Sequence, residues 1–305
     1  MSPSSPAHLL LSVAVAFSVW GVQLVQSRAP PVAKIPCGIS YEGRWDETRP
    51  DMAVFKGISF AEKPTDGRRF MPAQPLHCSS YNSTYVLARE PRASCIQMSE
   101  NSARGRRRRR RRGKEEDSED CLHLTVYAPL FAPSLSPLSR DSPNASDSAN
   151  SERRQAAAAL LPVVFWVYGG GNVPGSTEAY AGLDHLPRLD NVCLIAANYR
   201  LGIFGYLVLS ELAKGDPRGT AGNYGLTDLQ AALQWLQVNG PAFGCDPAAV
   251  TLYGQSSGGT NILALMANNG TAALATAAVS LSGSPNISAL LPQTEALHRP
   301  VCAVV

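Results

Sequence analysis

The sequence predicts an α/β fold with a mostly parallel central sheet and helices on both faces, and three observations carry the prediction. Four apolar runs of strand length recur in the second half of the chain, at residues 162–168, 191–199, 249–253 and 277–281. Between the second and third runs, Leu226, Leu229, Leu233 and Leu236 fall at helical spacing and stop before Asn239-Gly-Pro241. The third run passes without a break into Gly254-Gln-Ser-Ser-Gly258, and a helical stretch from Asn261 to Asn268 follows. Strands that alternate with helices are joined by crossovers, which build parallel sheets.

Taken in chain order, the first element is a targeting segment. Leu9 to Val25 is almost unbroken in its apolar character and gives way to Gln26, Ser27 and Ala29. That pattern reads as a secretory signal over residues 1–28, with an uncleaved signal anchor as the open alternative. No other segment approaches spanning length. Four acceptor sequons follow, at Asn82, Asn144, Asn269 and Asn286, and behind a signal each becomes a candidate glycosylation site. The seven cysteines show no Cys-x-x-Cys spacing, so no metal centre is expected; in an oxidising compartment some pair, and the odd count leaves one over. The expected destination is the secretory pathway.

A globular domain is expected over residues 32–290, with 45% hydrophobic residues to supply its core. Ile39 to Pro75, rich in turn residues, reads as a small β-meander, with a strand from Val54 that ends at Pro64. Two low-complexity inserts, 101–119 and 130–157, flank a strand at Leu122 to Tyr127. The first insert holds Arg104 and the unbroken run Arg106 to Arg112. Set apart, that cluster leaves the remainder at about −5 against a formal +3 for the whole, which removes the case for general nucleic-acid binding. Three readings of the run stay open: a solvated insert, a cleavage site for a basic-site protease, or contact with polyanions and acidic membranes. Residues 291–305 read as an unpatterned tail, with His298 as a solvated residue within it.

The chemistry centres on Ser256. In a strand-to-helix turn of the G-x-S-x-G type, the flanking glycines admit a backbone too tight for a Cβ, and the serine hydroxyl is lifted above the sheet. A bare match arises by chance in a chain this rich in Gly and Ser, but the buried strand before it and the helix after it give the motif weight. A nucleophilic serine generates an oxyanion that needs donors fixed in advance. The N–H of Ser257 lies at the helix start, and Gly169-Gly170-Gly171 follows the buried strand Pro162 to Tyr168. Standing alone, the triple glycine would equally read as a plain turn.

From about Ile39 to Asn286 the sequence resembles the type-B carboxylesterase and cholinesterase family of α/β-hydrolases. The resemblance rests on Phe55-Lys-Gly-Ile-Ser-Phe-Ala61 with Arg69-Phe70, Ser118-Glu-Asp-Cys-Leu-His-Leu-Thr-Val-Tyr127 and Trp166-Val-Tyr-Gly-Gly-Gly171. It continues through Asn198-Tyr-Arg-Leu-Gly202, Gly222-Asn-Tyr-Gly-Leu-Thr-Asp228, Phe243-Gly-Cys-Asp-Pro247, Val250-Thr-Leu-Tyr-Gly-Gln-Ser256 and Ser282-Gly-Ser-Pro-Asn286. The resemblance implies Ser256 as nucleophile, the N–H groups of Gly170, Gly171 and Ser257 as oxyanion hole, and a disulfide between Cys95 and Cys121. It implies a small-molecule ester as substrate and no cofactor.

Three departures bear on that expectation. Gln255 stands where the family usually has Glu, and Arg111-Arg112 occupies the place of the aromatic that stacks on choline in cholinesterases, which argues against a cholinesterase. The family's triad acid and histidine come late, whereas Ser256 is followed by 49 residues in which His298 is the only histidine. The other four (His8, His77, His123 and His185) match no triad position. The expectation is an incomplete domain, truncated after the strand at Ala277 to Leu281, which would stand as an uncovered apolar edge. Two function classes therefore compete: a secreted serine esterase acting through an acyl-enzyme, and a non-catalytic relative used for adhesion, as in the neuroligin branch.

Overall fold

The computed structural model describes residues 28–98, 117–129, 160–179, 185–216, 219–285 and 291–302. Residues 1–27 of the signal segment, the run Arg106 to Arg112 with its expected polyanion contact, the insert at 130–157, Asn144 and Asn286 lie outside the described residues.

Among the described residues, ten strands and seven α-helices follow one another. The strands are β1 (Val32–Lys34), β2 (Ser40–Glu42), β3 (Arg44–Trp45), β4 (Ala53–Ser59), β5 (Tyr85–Leu87), β6 (His123–Ala128), β7 (Leu161–Val167), β8 (Cys193–Ala197), β9 (Cys245–Gln255) and β10 (Ala277–Leu281). The helices are α1 (His185–Leu189), α2 (Gly202–Tyr206), α3 (Ser210–Ala213), α4 (Tyr224–Asn239), α5 (Ser257–Met266), α6 (Asn269–Ala272) and α7 (Leu291–Cys302). A small sheet of order β1-β2-β5 sits beside a seven-stranded sheet of order β10-β9-β7-β8-β6-β4-β3.

The main sheet is mixed, not mostly parallel. The four strands legible as apolar runs form its parallel half, through the pairs β10–β9, β9–β7 and β7–β8. The earlier strands join antiparallel, through β8–β6, β6–β4 and β4–β3. These pairings lie outside the reach of a crossover argument, because no α-helix lies between β4 and β6 among the described residues. Every residue of β8 is buried, so both faces of the sheet are covered there. Helix α4 buries Leu229, Leu233 and Leu236 of the stripe that its spacing announced, while Leu226 is half-buried against the same core.

Aromatic rings join the two sheets. Phe243 lies edge-on to Phe55 at 5.0 Å, with Trp235 at 5.6 Å and Tyr41 of the small sheet at 6.2 Å. Among the described residues, three disulfides reinforce this body. Cys95–Cys121 is the pair that the family resemblance implied, while Cys37–Cys78 and Cys193–Cys245 are additional. Residues 117–119, assigned to the first insert, belong to the ordered body: Ser118 bridges Cys95, and Glu119 pairs with Arg69 at 2.8 Å.

The expected tail at 291–305 requires correction, because residues 291–302 form helix α7. His298 is not a solvated tail residue; its Nδ1 accepts the Val208 N–H at 3.0 Å. Glu295 accepts the Ser210 N–H at 3.0 Å, and Arg299 pairs with Glu211 at 3.1 Å. The helix is docked through polar groups, and an apolar stripe is what periodicity detects.

His123 in β6 gives the fold a pH dependence. Its side chain is 3% exposed and neither ring nitrogen has a hydrogen-bond partner among the described residues. Burial, with help from the charges of Arg92 and Lys63 and against the pull of Asp120, pushes its pKa down to about 4. An unfolded histidine takes its proton near 6.5, so in that window the unfolded chain binds more protons. Stability should be flat above pH ~7 and fall as the pH drops toward 4, by at most ~1.4 kcal/mol per pH unit. Urea unfolding of wild type and His123→Phe at pH 7.5 and pH 5 checks this. An equal loss in both proteins would assign the slope to other groups.

Candidate active site

Adjacent strands β7 and β9 carry the site at their carboxyl ends. The chain continues from β7 to β8 on one side, and β9 then inserts on the other, so β7 and β9 flank a switch point. Crevices above such points are where open α/β sheets bind ligands.

At the end of β9, Ser256 has φ 57° and ψ −127°, a conformation that a residue with a Cβ rarely adopts. Three contacts hold it there. Its N–H donates to Leu281 O at the end of β10 at 2.7 Å, its carbonyl accepts the Thr260 N–H at 3.0 Å, and α5 begins on the next residue. Helix α5 starts four residues earlier than the sequence suggests, since Gly258-Gly259 dilutes the apolar signal that would mark its first turn. A Cβ on Gly258 would lie 2.1 Å from Val167 O and 2.6 Å from Tyr168 O, so the turn closes only with glycine there. The Ser256 hydroxyl makes no hydrogen bond among the described residues.

The glycine loop packs directly against this turn. Tyr168 and Tyr199 anchor its entrance: their rings stack at 4.4 Å, the Tyr199 hydroxyl donates to Tyr168 O at 2.7 Å, and the Tyr168 hydroxyl accepts the Tyr199 N–H at 3.1 Å. A Cβ on Gly169 would stand 3.1 Å from that of Ser256. Gly170, at φ +116°, has the Pro174 carbonyl where a side chain would begin. Gly170 and Gly171 make no hydrogen bond through their N–H groups among the described residues, and Ser257 N–H opens α5 with no carbonyl a turn behind it. The site thus brings together Ser256, Gly170, Gly171 and Ser257: one hydroxyl in a strained turn and three backbone donors open to an acceptor.

Sequence reasoning missed the polar groups that hold the loop from outside. Gln97, two residues beyond Cys95, accepts the Gly175 N–H at 2.8 Å and donates to Gly175 O at 3.1 Å. Asn172 and Asn261 bond to each other. None of these belongs to a recognisable local motif. Beside the loop, Val173, Leu201, Ile203, Phe204 and Met98 line a largely apolar cavity of about 360 Å³, with His298 on its wall. Among the described residues no group of three or more His, Cys, Asp or Glu side chains could hold a metal, and no helix is long and apolar enough to cross a membrane.

Residues 31–302 match the model of the carboxylesterase family. Liver carboxylesterase 1F of Rattus norvegicus is 32% identical over 278 residues, which cover 86% of this chain and 42% of the relative. Liver carboxylesterase 1 of Oryctolagus cuniculus is 32% identical over 292 residues, covering 92% and 44%. Among solved structures, a carboxylesterase of Geobacillus stearothermophilus superposes with a TM-score of 0.68 at 26% identity, over 90% of this chain and 48% of that one. A thermophilic pNB esterase gives the same TM-score and coverage. The chain spans less than half the length of each of these proteins.

Proposed function

The chain belongs to the carboxylesterase family, and from that premise we propose that it is the nucleophile-bearing part of a serine carboxylic-ester hydrolase. One observation carries the proposal: Ser256 sits in a strained strand-to-helix turn, with the open donors of Gly170, Gly171 and Ser257 beside it. Ser256 Oγ attacks the ester carbonyl carbon and gives up its proton to a general base. The three N–H groups receive the resulting oxyanion. Collapse expels the alcohol, which takes up that proton, and water then cleaves the acyl-enzyme in the same way. The apolar cavity beside Val173 suits a hydrophobic portion of the ester.

The base and its acid partner are not among the described residues around Ser256. In this proposal they belong to sequence equivalent to the part of the relatives that the chain does not match. The secretory route is part of the same reading, supported by three disulfides and by the exposure of the sequon residues Asn82 and Asn269.

A fluorophosphonate probe tests the reaction. The protein secreted from cells should label, and Ser256→Ala should lose labelling entirely. Absence of labelling in the wild type would remove the esterase and leave a binding role.

A further inference from the structure

Asn172 ends the glycine loop, and each of its polar groups is engaged within the protein. Its Nδ2 donates to Oδ1 of Asn261 at 3.3 Å, and Asn261 Nδ2 donates back to its Oδ1 at 2.9 Å. Its N–H donates to Ser257 Oγ at 3.2 Å, and its carbonyl accepts the Gly202 N–H at 2.7 Å. The Tyr199 hydroxyl stands 3.4 Å from the same side-chain oxygen. Asn172 has φ +58°, a left-handed conformation that asparagine tolerates better than other residues with a Cβ. Asn261 lies one turn into α5 and is 3% exposed, so its amide has little access to water in place of these bonds.

Resting on the reading of Ser256 as nucleophile, we infer that Asn172 and Asn261 are positioning residues, a clasp that holds the oxyanion donors in register with the nucleophile. The physical need is plain. Gly170 and Gly171 both sit at positive φ, with no side chain of their own to pack. Glycine backbone is the most expensive to order, and oxyanion donors act only when they are ordered beforehand. Tyr168 and Tyr199 fix the entrance to the loop, and the asparagine pair ties its exit to the helix that begins at Ser257. The clasp touches no substrate; it sets the distance between two elements that are 89 residues apart in sequence.

The test compares the full chain with Asn261→Ala, with Asn172→Gly, and with both together. Asn172→Gly keeps the left-handed backbone and removes only the side chain, so it carries the test if Asn261→Ala does not fold. Two readouts are taken: hydrogen exchange of the 169–175 amides, and the second-order rate of fluorophosphonate labelling at Ser256. Each single variant should speed exchange in that loop while β7 is unchanged, and should slow labelling roughly tenfold. The double variant should match either single one within about twofold, since one interaction can be lost only once. Unchanged exchange, or effects that multiply to about a hundredfold in the double variant, would overturn the clasp. Should the wild type fail to label, the esterase reading falls and exchange alone decides: faster and non-additive sustains the clasp, unchanged removes it.

Discussion

Replacing Arg200 by methionine lowers the unfolding free energy by about 3–5 kcal/mol, the expected result of stranding a buried carboxylate. Asp228 and Arg200 have side-chain exposures of 0% and 3%. Arg200 donates from Nη2 at 2.7 Å and from Nε at 2.9 Å to the two oxygens of Asp228, and its main-chain N–H adds a third bond at 2.9 Å. Its remaining donors reach Arg69 O at 2.8 Å and Met71 O at 2.9 Å. One guanidinium therefore ties the segment after β8 to helix α4 and to the loop at 69–71, and methionine would leave the buried carboxylate with no counter-charge and only the residue-200 N–H, and the Arg69 and Met71 carbonyls without the guanidinium donor. The double variant Arg200→Met with Asp228→Leu should recover a large part of the loss, because no charge is then left buried. Urea unfolding of the three proteins decides it. A loss below ~1 kcal/mol in the single variant would mean that water reaches Asp228 and the pair is not truly buried.

Gly258→Ala should cost about 3 kcal/mol or more, and should disable the site even in molecules that fold. The new Cβ would meet two carbonyl oxygens of the β7 exit, and backbone cannot rotate away as a flexible side chain can. Helix α5 would have to retreat from β7, carrying Ser256 and the Ser257 N–H away from the glycine loop. Gly171→Ala is the control. It lies in the same loop at φ +65°, yet its Cβ would meet no atom within 4 Å. Its cost should be roughly 1 kcal/mol, from backbone conformation alone. If both variants lose the same small amount of stability, the close approach of α5 to β7 is not what makes Gly258 necessary.

The four apolar strands, the leucine stripe of α4 and the turn at Ser256 were legible in the sequence because each is a local matter. A run of buried residues, a period of 3.6 and a pair of glycines around a serine express constraints that act within a few residues. The glycine loop was legible for the same reason, and the family motifs supplied its chain order.

What tertiary structure alone decided is every match between groups distant in sequence. The antiparallel half of the sheet depends on which strands come to lie side by side, and short strands such as β3 carry no signal for their neighbours. Cysteine spacing does not reveal that Cys193 of β8 meets Cys245 of β9. Helix α7 escaped notice because Glu295, His298 and Arg299 dock it through hydrogen bonds to the segment around Ser210, and such partners are specified by position in space. The same holds for Asn172 and Asn261: each is an ordinary polar residue along the chain, and only the approach of the glycine loop to α5 makes them a pair. Local sterics and burial patterns are written in consecutive residues, whereas a hydrogen bond needs its partner within about 3 Å, a distance that only the completed fold sets.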